Sequence, residues 1–223
     1  AAGKSYAMPG PFPGRLVEVS HPASIANNKP DAAIVQTMLR KGIAELTGAP
    51  DWVQGWRYFF ERGDVVGIKV NPVGLPLAPT NHEVLLEIIA GLEAAGVRRQ
   101  EIIVYDRYRD QFFKGDYHKV LPEGVRWDAA ARDYDNIQLA LTFPEEKDCS
   151  GYDRDVYFEM PLVRPDVDAN DPLARRSHVC HFLTRKVNKL INIPVLKDHQ
   201  SAGVTLALKN LSHGLVNNVS RSH

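Results

Sequence analysis

At 223 residues, with 27 basic and 27 acidic side chains, the chain is long enough to bury a hydrophobic core and carries no formal net charge. The balance, with no long single-sign run, argues against nucleic acid as a partner, and no apolar run approaches the ~18 residues of a bilayer-spanning helix. Two cysteines, Cys149 and Cys180, without a CxxC pair, exclude an iron–sulfur cluster or a cysteine-rich zinc site built from this chain alone. They read as free, mostly buried thiols, with a single disulfide as the alternative in an exported protein.

Residues 1–14 (AAGKSYAMPGPFPG) are small, Pro/Gly-rich and lack an apolar h-region. They read as a flexible segment, either what remains after an export leader is removed or an ordinary terminus. Residues 15–223 are expected to form a single α/β domain. Arg15 to Ser20 (RLVEVS) alternates and is β-branched enough for a first strand. Asp31 then precedes Ile34, Met38, Ile43 and Leu46 at helical spacing, with Gly48 as the stop. Trp52, Trp56, Phe59 and Phe60 give a short helix with an aromatic face, a pattern that belongs to a core rather than a cofactor box.

The clearest supersecondary unit follows. Asp64 to Val70 (DVVGIKV) is a nearly continuous apolar strand, and the Pro/Gly-rich NPVGLPLAPT leads to a helix capped by Asn81 and ended by Gly96. Glu101 to Asp106 (EIIVYD) supplies the next strand, so this stretch predicts a right-handed, parallel βαβ unit. Residues 107–175 mix aromatics, charges and turn residues and read as an irregular inserted lobe, with strands near 136–141 and 156–160 and a surface loop over 161–176. Val187 to Ile193 is another buried strand, and Ser201 to His213 reads as a helix carrying Ser201, Thr205, Lys209 and His213 in one row. The expected architecture is an open, mostly parallel sheet with flanking helices.

In such sheets ligands bind beyond the carboxyl ends of the strands, which directs attention to the polar residues there. Lys69 and Asn71 end the first strand of the βαβ unit: an ammonium suits a phosphate or carboxylate and an amide can orient it, whereas a solvent-reaching Lys and a turn Asn are the plainer reading. Asp106 closes the neighbouring strand, where it either meets a ligand or caps a turn. Neither GxGxxG nor GxxxxGK[ST] occurs, so the usual dinucleotide and P-loop fingerprints are missing. Lys197, Asp198 and His199 follow an apolar strand directly and are the catalytic candidates: Lys197 for an anion, Asp198 to orient His199 or hold a cation, His199 as base or metal ligand. Lys209, Asn210 and His213 on the following segment are expected to face the same crevice. His178 and His181 flank Cys180, but spacing supplies no third ligand, and structural histidines are the better reading. No cofactor, metal or reaction is specified by any of these motifs.

GDVVGIKVNP, NHEVLLEIIAGLEAAGV, EIIVYDR and above all KLINIPVLKDHQSAGVTLALKNLSHG with NNVSRSH resemble the bacterial domain of unknown function 362 family. The similarity covers most of residues 15–223 and little of 107–175. It implies an α/β fold and, since many similar proteins carry a twin-arginine leader, a periplasmic or extracellular location. Some relatives add a cysteine-rich, ferredoxin-like module that this chain lacks. Family members usually continue past the position of His223, so the family's C-terminal part is expected to be missing. Lys69, Asn71, Asp106, Lys197, Asp198, His199, Lys209 and Asn210 occupy the matching motif positions. Two functions follow as expectations: an exported protein that binds and acts on an anionic small molecule, with or without a metal ion, or a non-enzymatic periplasmic or cell-surface subunit of a larger assembly or homo-oligomer.

Overall fold

The computed structural model describes residues 10–134, 139–159, 168–200 and 202–219. They form two compact units, one from Ala1–Arg62 with Asn81–Arg98 and one from Gly63–Thr80 with Arg99–His223.

The first unit is helical. A minimal hairpin, β1 (Ile25–Ala26) and β2 (Lys29–Pro30), turns through Asn27 and Asn28 at φ 52° and 59°, a conformation asparagine tolerates better than most residues. Helix α1 (Ala32–Thr47) starts where Asp31 accepts a hydrogen bond from the Ile34 N–H (3.0 Å) and stops at Gly48, left-handed at φ 69°. Helix α2 (Trp52–Phe59) is capped in the same way by Asp51, and α3 (His82–Ala95) runs from Asn81 to Gly96. Gly91 admits the Trp56 indole so closely that a Cβ there would lie 2.3 Å from the ring. The Arg40 guanidinium pairs with the buried Glu87 carboxylate at 2.7 Å. Residues 15–20 form no strand. Their alternating side chains meet a helix instead: Val19 lies 3.5 Å from the Cβ position of Gly42, and Arg15 donates to the Leu46 carbonyl at 2.8 Å. A cavity of about 630 Å³ in this unit is walled mostly by apolar side chains such as Leu16, Val35, Met38 and Trp56.

The second unit contains the sheet. Strands β3 (Val66–Lys69) and β4 (Ile102–Tyr108) are followed by α4 (Arg109–Lys114), α5 (Tyr117–Val120) and β5 (Arg126–Ala131). Then come β6 (Tyr152–Glu159), α6 (Pro172–Arg175), β7 (Arg176–Cys180) and β8 (Lys189–Asn192), and finally β9 (Lys197–His199), β10 (Gly203–Thr205) and α7 (Ala207–Ser212). The sheet order is β5–β4–β3–β8, parallel throughout, which establishes the α/β class. Strands β3 and β4 are buried along their whole length, as two-sided parallel strands must be. The chain passes from β3 to β4 through α3, as the βαβ pattern predicts. Phe182 stacks on Tyr105 with centroids 4.2 Å apart and lies against Gly67, whose missing Cβ would come within 2.4 Å of the ring.

Two expectations change here. Strand β5 falls inside 107–175 and extends the parallel sheet, so that range is not all insertion. Its sequence, RWDAAA, is poor in β-branched residues, and burial against β4 overrides propensity. Of the helix expected over 201–213, residue 201 lies outside the described residues; residues 203–205 are instead β10, paired antiparallel with β9 so that Thr205 meets Lys197, Gly203 takes φ 74°, and the much shorter α7 follows. Of the strand expected near 136–141, residues 136–138 lie outside the described residues and 139–141 are irregular, whereas the one near 156–160 is β6 up to Glu159. The loop expected over 161–176 begins outside the described residues and closes with α6 and the start of β7. Both cysteines are free thiols. No helix among the described residues is long and apolar enough to cross a membrane.

Candidate functional site

At the carboxyl ends of β3 and β4 the sheet unit holds a cavity of about 310 Å³. Its floor is a closed polar network. Lys69, the last residue of β3 and only 2% exposed, directs all three ammonium donors inward: to the Asp106 carboxylate at 2.6 Å, the Val70 carbonyl at 2.6 Å and the Asn210 amide oxygen at 3.2 Å. Asn210 in turn donates to Asn192 at the end of β8 (2.7 Å), and Asn192 donates to the Ala207 carbonyl at the start of α7. The network thus ties three strands or their ends to one short helix. Gly214 makes it possible, because a Cβ there would fall 2.4 Å from Lys69 Cε and 2.2 Å from the Asn210 carbonyl.

A second lysine is also saturated. Lys197 Nζ donates to Asn71 Oδ1 (3.1 Å), to the Ala78 carbonyl (3.3 Å) and to the Val73 carbonyl. These acceptors are neutral, so the hydrogen bonds fix the ammonium without cancelling its charge. Thr80 clasps the same loop: its hydroxyl accepts from the Asn71 N–H (2.8 Å) and donates to the Ile193 carbonyl (2.9 Å), its own N–H donates to the Asn71 carbonyl, and Tyr117 Oη donates to its carbonyl at 2.6 Å.

Lys209, on α7, lines the same cavity, and its ammonium has no hydrogen bond or ion pair among the described residues. Burial pulls its pKa down from the ordinary 10.5. The Lys197 pKa is lowered as well, first by burial and then by the neighbouring Lys209 charge. His199 is lowered by burial and by both lysines. Its Nδ1 accepts the Ala202 N–H at 3.1 Å, which leaves the neutral imidazole protonated at Nε2. That tautomer makes Nε2 a donor rather than a base or metal ligand.

The walls hold residues that sequence reasoning missed. Arg107, buried in β4, donates to the His213 carbonyl (3.2 Å), the Asn217 carbonyl and Tyr152 Oη (3.4 Å), fastening the segment after α7 to the sheet. Its guanidinium carbon lies 4.8 Å from the Tyr108 ring centroid. Tyr108, Gln111 and Thr205 also line the cavity, and each has a buried oxygen without a hydrogen-bond partner among the described residues: Tyr108 Oη, Gln111 Oε1 and Thr205 Oγ1. Thr205 stands in the row read from the sequence with Lys209 and His213, whereas Arg107, Tyr108 and Gln111 have no signal in the sequence beyond their position at or just past the end of a buried strand.

Of the candidates from sequence, Lys69, Asn71, Asp106, Lys197, His199, Lys209, Asn210 and His213 all line this cavity. Asp198 does not: strand alternation puts it on the exposed side of β9, opposite Lys197 and His199. The expectation that Lys69 and Lys197 grip a ligand directly meets their full complement of protein acceptors, so they supply charge and shape while Lys209 has donors to give. His178 and His181 stand apart from the cavity. His178 is buried, with Nδ1 2.9 Å from the Asp153 carbonyl, and His181 Nδ1 is 3.6 Å from the Asp153 carboxylate. Among the described residues no group of three or more His, Cys, Asp or Glu is gathered as a metal cluster.

A family model described as domain of unknown function (DUF362) matches residues 66–223, from the first residue of β3 onward. No curated protein and no solved structure matches the chain.

Proposed function

Because the chain belongs to the DUF362 family, whose description assigns no reaction, its function has to be read from this cavity, and we propose that the protein binds an anionic small molecule there and acts on it. The observation that carries the reading is a charge imbalance. The lining contains Lys69, Arg107, Lys197 and Lys209 against the single carboxylate of Asp106, which is already engaged by Lys69. Positive charge held in a partly buried cleft without a counter-ion depresses its own pKa values, and a bound anion relieves that penalty. The volume suits a small metabolite rather than a polymer. Lys209 is the direct contact and Lys197 a fixed charge near it. Export to the periplasm by the twin-arginine route is part of the same proposal and is supported by the family resemblance; cell fractionation of the native host, with the protein found in the cytoplasm, would remove it.

The binding reading is tested by calorimetric titration with inorganic phosphate. Measurable binding that weakens about tenfold in Lys209→Ala is expected, consistent with loss of one charge-assisted contact. Equal binding by wild type and variant would sink it. A second reading, a non-enzymatic subunit of a larger assembly, draws on exposed leucines in the same unit: Leu77 at 93%, Leu208 at 84% and Leu196 at 73%. Under that reading Leu208→Ser abolishes co-purification with a partner and leaves phosphate titration unaltered.

A further inference from the structure

Charge explains one side of the cavity but not its other polar groups. Tyr108 is 6% exposed and Thr205 3%, and the hydroxyl of each is buried without a partner among the described residues. Gln111 adds a buried, unpartnered amide oxygen. All three belong to the lining of the cavity that holds Lys209. A single unmatched polar atom in a protein interior is an isolated defect; two hydroxyls and an amide oxygen on residues that line one cleft are a pattern, because each unmet group carries a desolvation penalty that a ligand in the cleft can relieve. They come from two distant parts of the chain, Tyr108 and Gln111 from the junction of β4 and α4, Thr205 from β10.

Their chemistry restricts what relieves them. Gln111 Oε1 accepts only, so the ligand must bring a donor to it. The two hydroxyls donate or accept. Burial raises the Tyr108 pKa, so this phenol is a neutral hydrogen-bonding group at ordinary pH and not a base. A ligand amine would supply donors, but as an ammonium it would enter a cleft that already contains Lys197, Lys209 and Arg107. Hydroxyl groups supply donors and acceptors without added positive charge. Resting on the anion-binding reading above, we infer that the ligand is a hydroxylated anion, a phosphorylated or carboxylated polyol, whose acidic group meets Lys209 and whose hydroxyls meet Tyr108, Gln111 and Thr205.

The test compares affinities within one preparation. Wild type, Tyr108→Phe and Thr205→Val are titrated calorimetrically with two pairs of probes: inorganic phosphate against glycerol 3-phosphate, and acetate against gluconate. At least one hydroxylated probe is expected to bind about tenfold or more tightly than its simple counterpart, and each variant to reduce that ratio about three- to tenfold, the size of one buried hydrogen bond. The pair showing the advantage tells whether the acidic group is a phosphate or a carboxylate. Because the readout is a ratio, a folding defect that weakens both ligands alike leaves it unmoved. If phosphate binds through Lys209 but neither hydroxylated probe gains over its counterpart, the polyol inference is overturned and the anion reading stands. If no anion binds, both fall.

Discussion

The helical unit encloses about 630 Å³ between side chains such as Leu16, Met38 and Trp56, about twice the 310 Å³ at the carboxyl edge of the sheet. Volume alone would favour the first. Yet in the larger cavity the one charged lining residue, Arg15, is turned to a backbone carbonyl of α1. The smaller one gathers two ammonium groups without carboxylate partners and three unmatched buried oxygens. An apolar void forfeits dispersion contacts and little else, whereas buried polar groups left unmet require a partner. The comparison teaches that the unmet chemistry of the lining, more than its size, marks where this protein engages a ligand.

Substitutions in both regions test this contrast. The largest effect is expected from Lys69→Met, which leaves Asp106 charged and buried at the cavity floor; a loss of about 3–5 kcal/mol in chemical denaturation is expected, as for other broken buried pairs. A loss below about 1 kcal/mol would mean that the floor network is not what ties β3, β4 and α7 together. In the helical unit, Gly91→Ala forces a methyl group against the Trp56 indole, and about 1–3 kcal/mol should be lost. If the apolar cavity lets Trp56 retreat without cost, the melt will instead be unaltered.

The pH dependence separates the two regions next. A lysine whose folded pKa lies below 10.5 releases its proton before the unfolded chain does, so the ligand-free protein gains stability as pH rises through that window. Phosphate binding runs the other way and fades over the same window, because it needs the ammonium form. Thermal melts across alkaline pH, with and without phosphate, should therefore converge, and Lys209→Ala should flatten both slopes; an unchanged slope in that variant would place the titration elsewhere. The smallest effect is expected from Gly42→Ala on α1, where a new methyl meets Val19 at an ordinary 3.5 Å. Helix propensity alone predicts a gain of about 0.5–1 kcal/mol, read from the denaturation midpoint.

The local signals that the sequence carried were those with a local cause. Asp31 and Gly48 delimit α1 because a side-chain cap and a left-handed glycine act within a few residues. The continuous apolar runs of β3 and β4 reflect burial on both faces, and the polar residues at their ends were legible from the geometry of parallel sheets. What was not legible depends on distant partners. Residues 15–20 alternate like a strand but lie along α1, and RWDAAA becomes β5 only because β4 offers an edge. The row formed by Thr205, Lys209 and His213 belonged to no single helix, yet all three reach the cavity because the hairpin folds back before α7 begins. Strand alternation, invisible until β9 was placed, separated Asp198 from its neighbours, and the acceptors that saturate Lys197 come from residues 71–78, more than a hundred positions away.

Thr80 gives the loop after β3 a property of another kind. Since its hydroxyl and backbone lock Asn71 to Ile193, and Lys197 grips the carbonyls of Val73 and Ala78, the chain between those two carbonyls is sealed off from the strand end that it leaves. Doubling the length of such a closed segment adds only about 0.6 kcal/mol of closure entropy. Added length within residues 75–77, at the edge of the cleft, is therefore expected to cost little stability and to leave Lys69 and Asp106 beneath undisturbed.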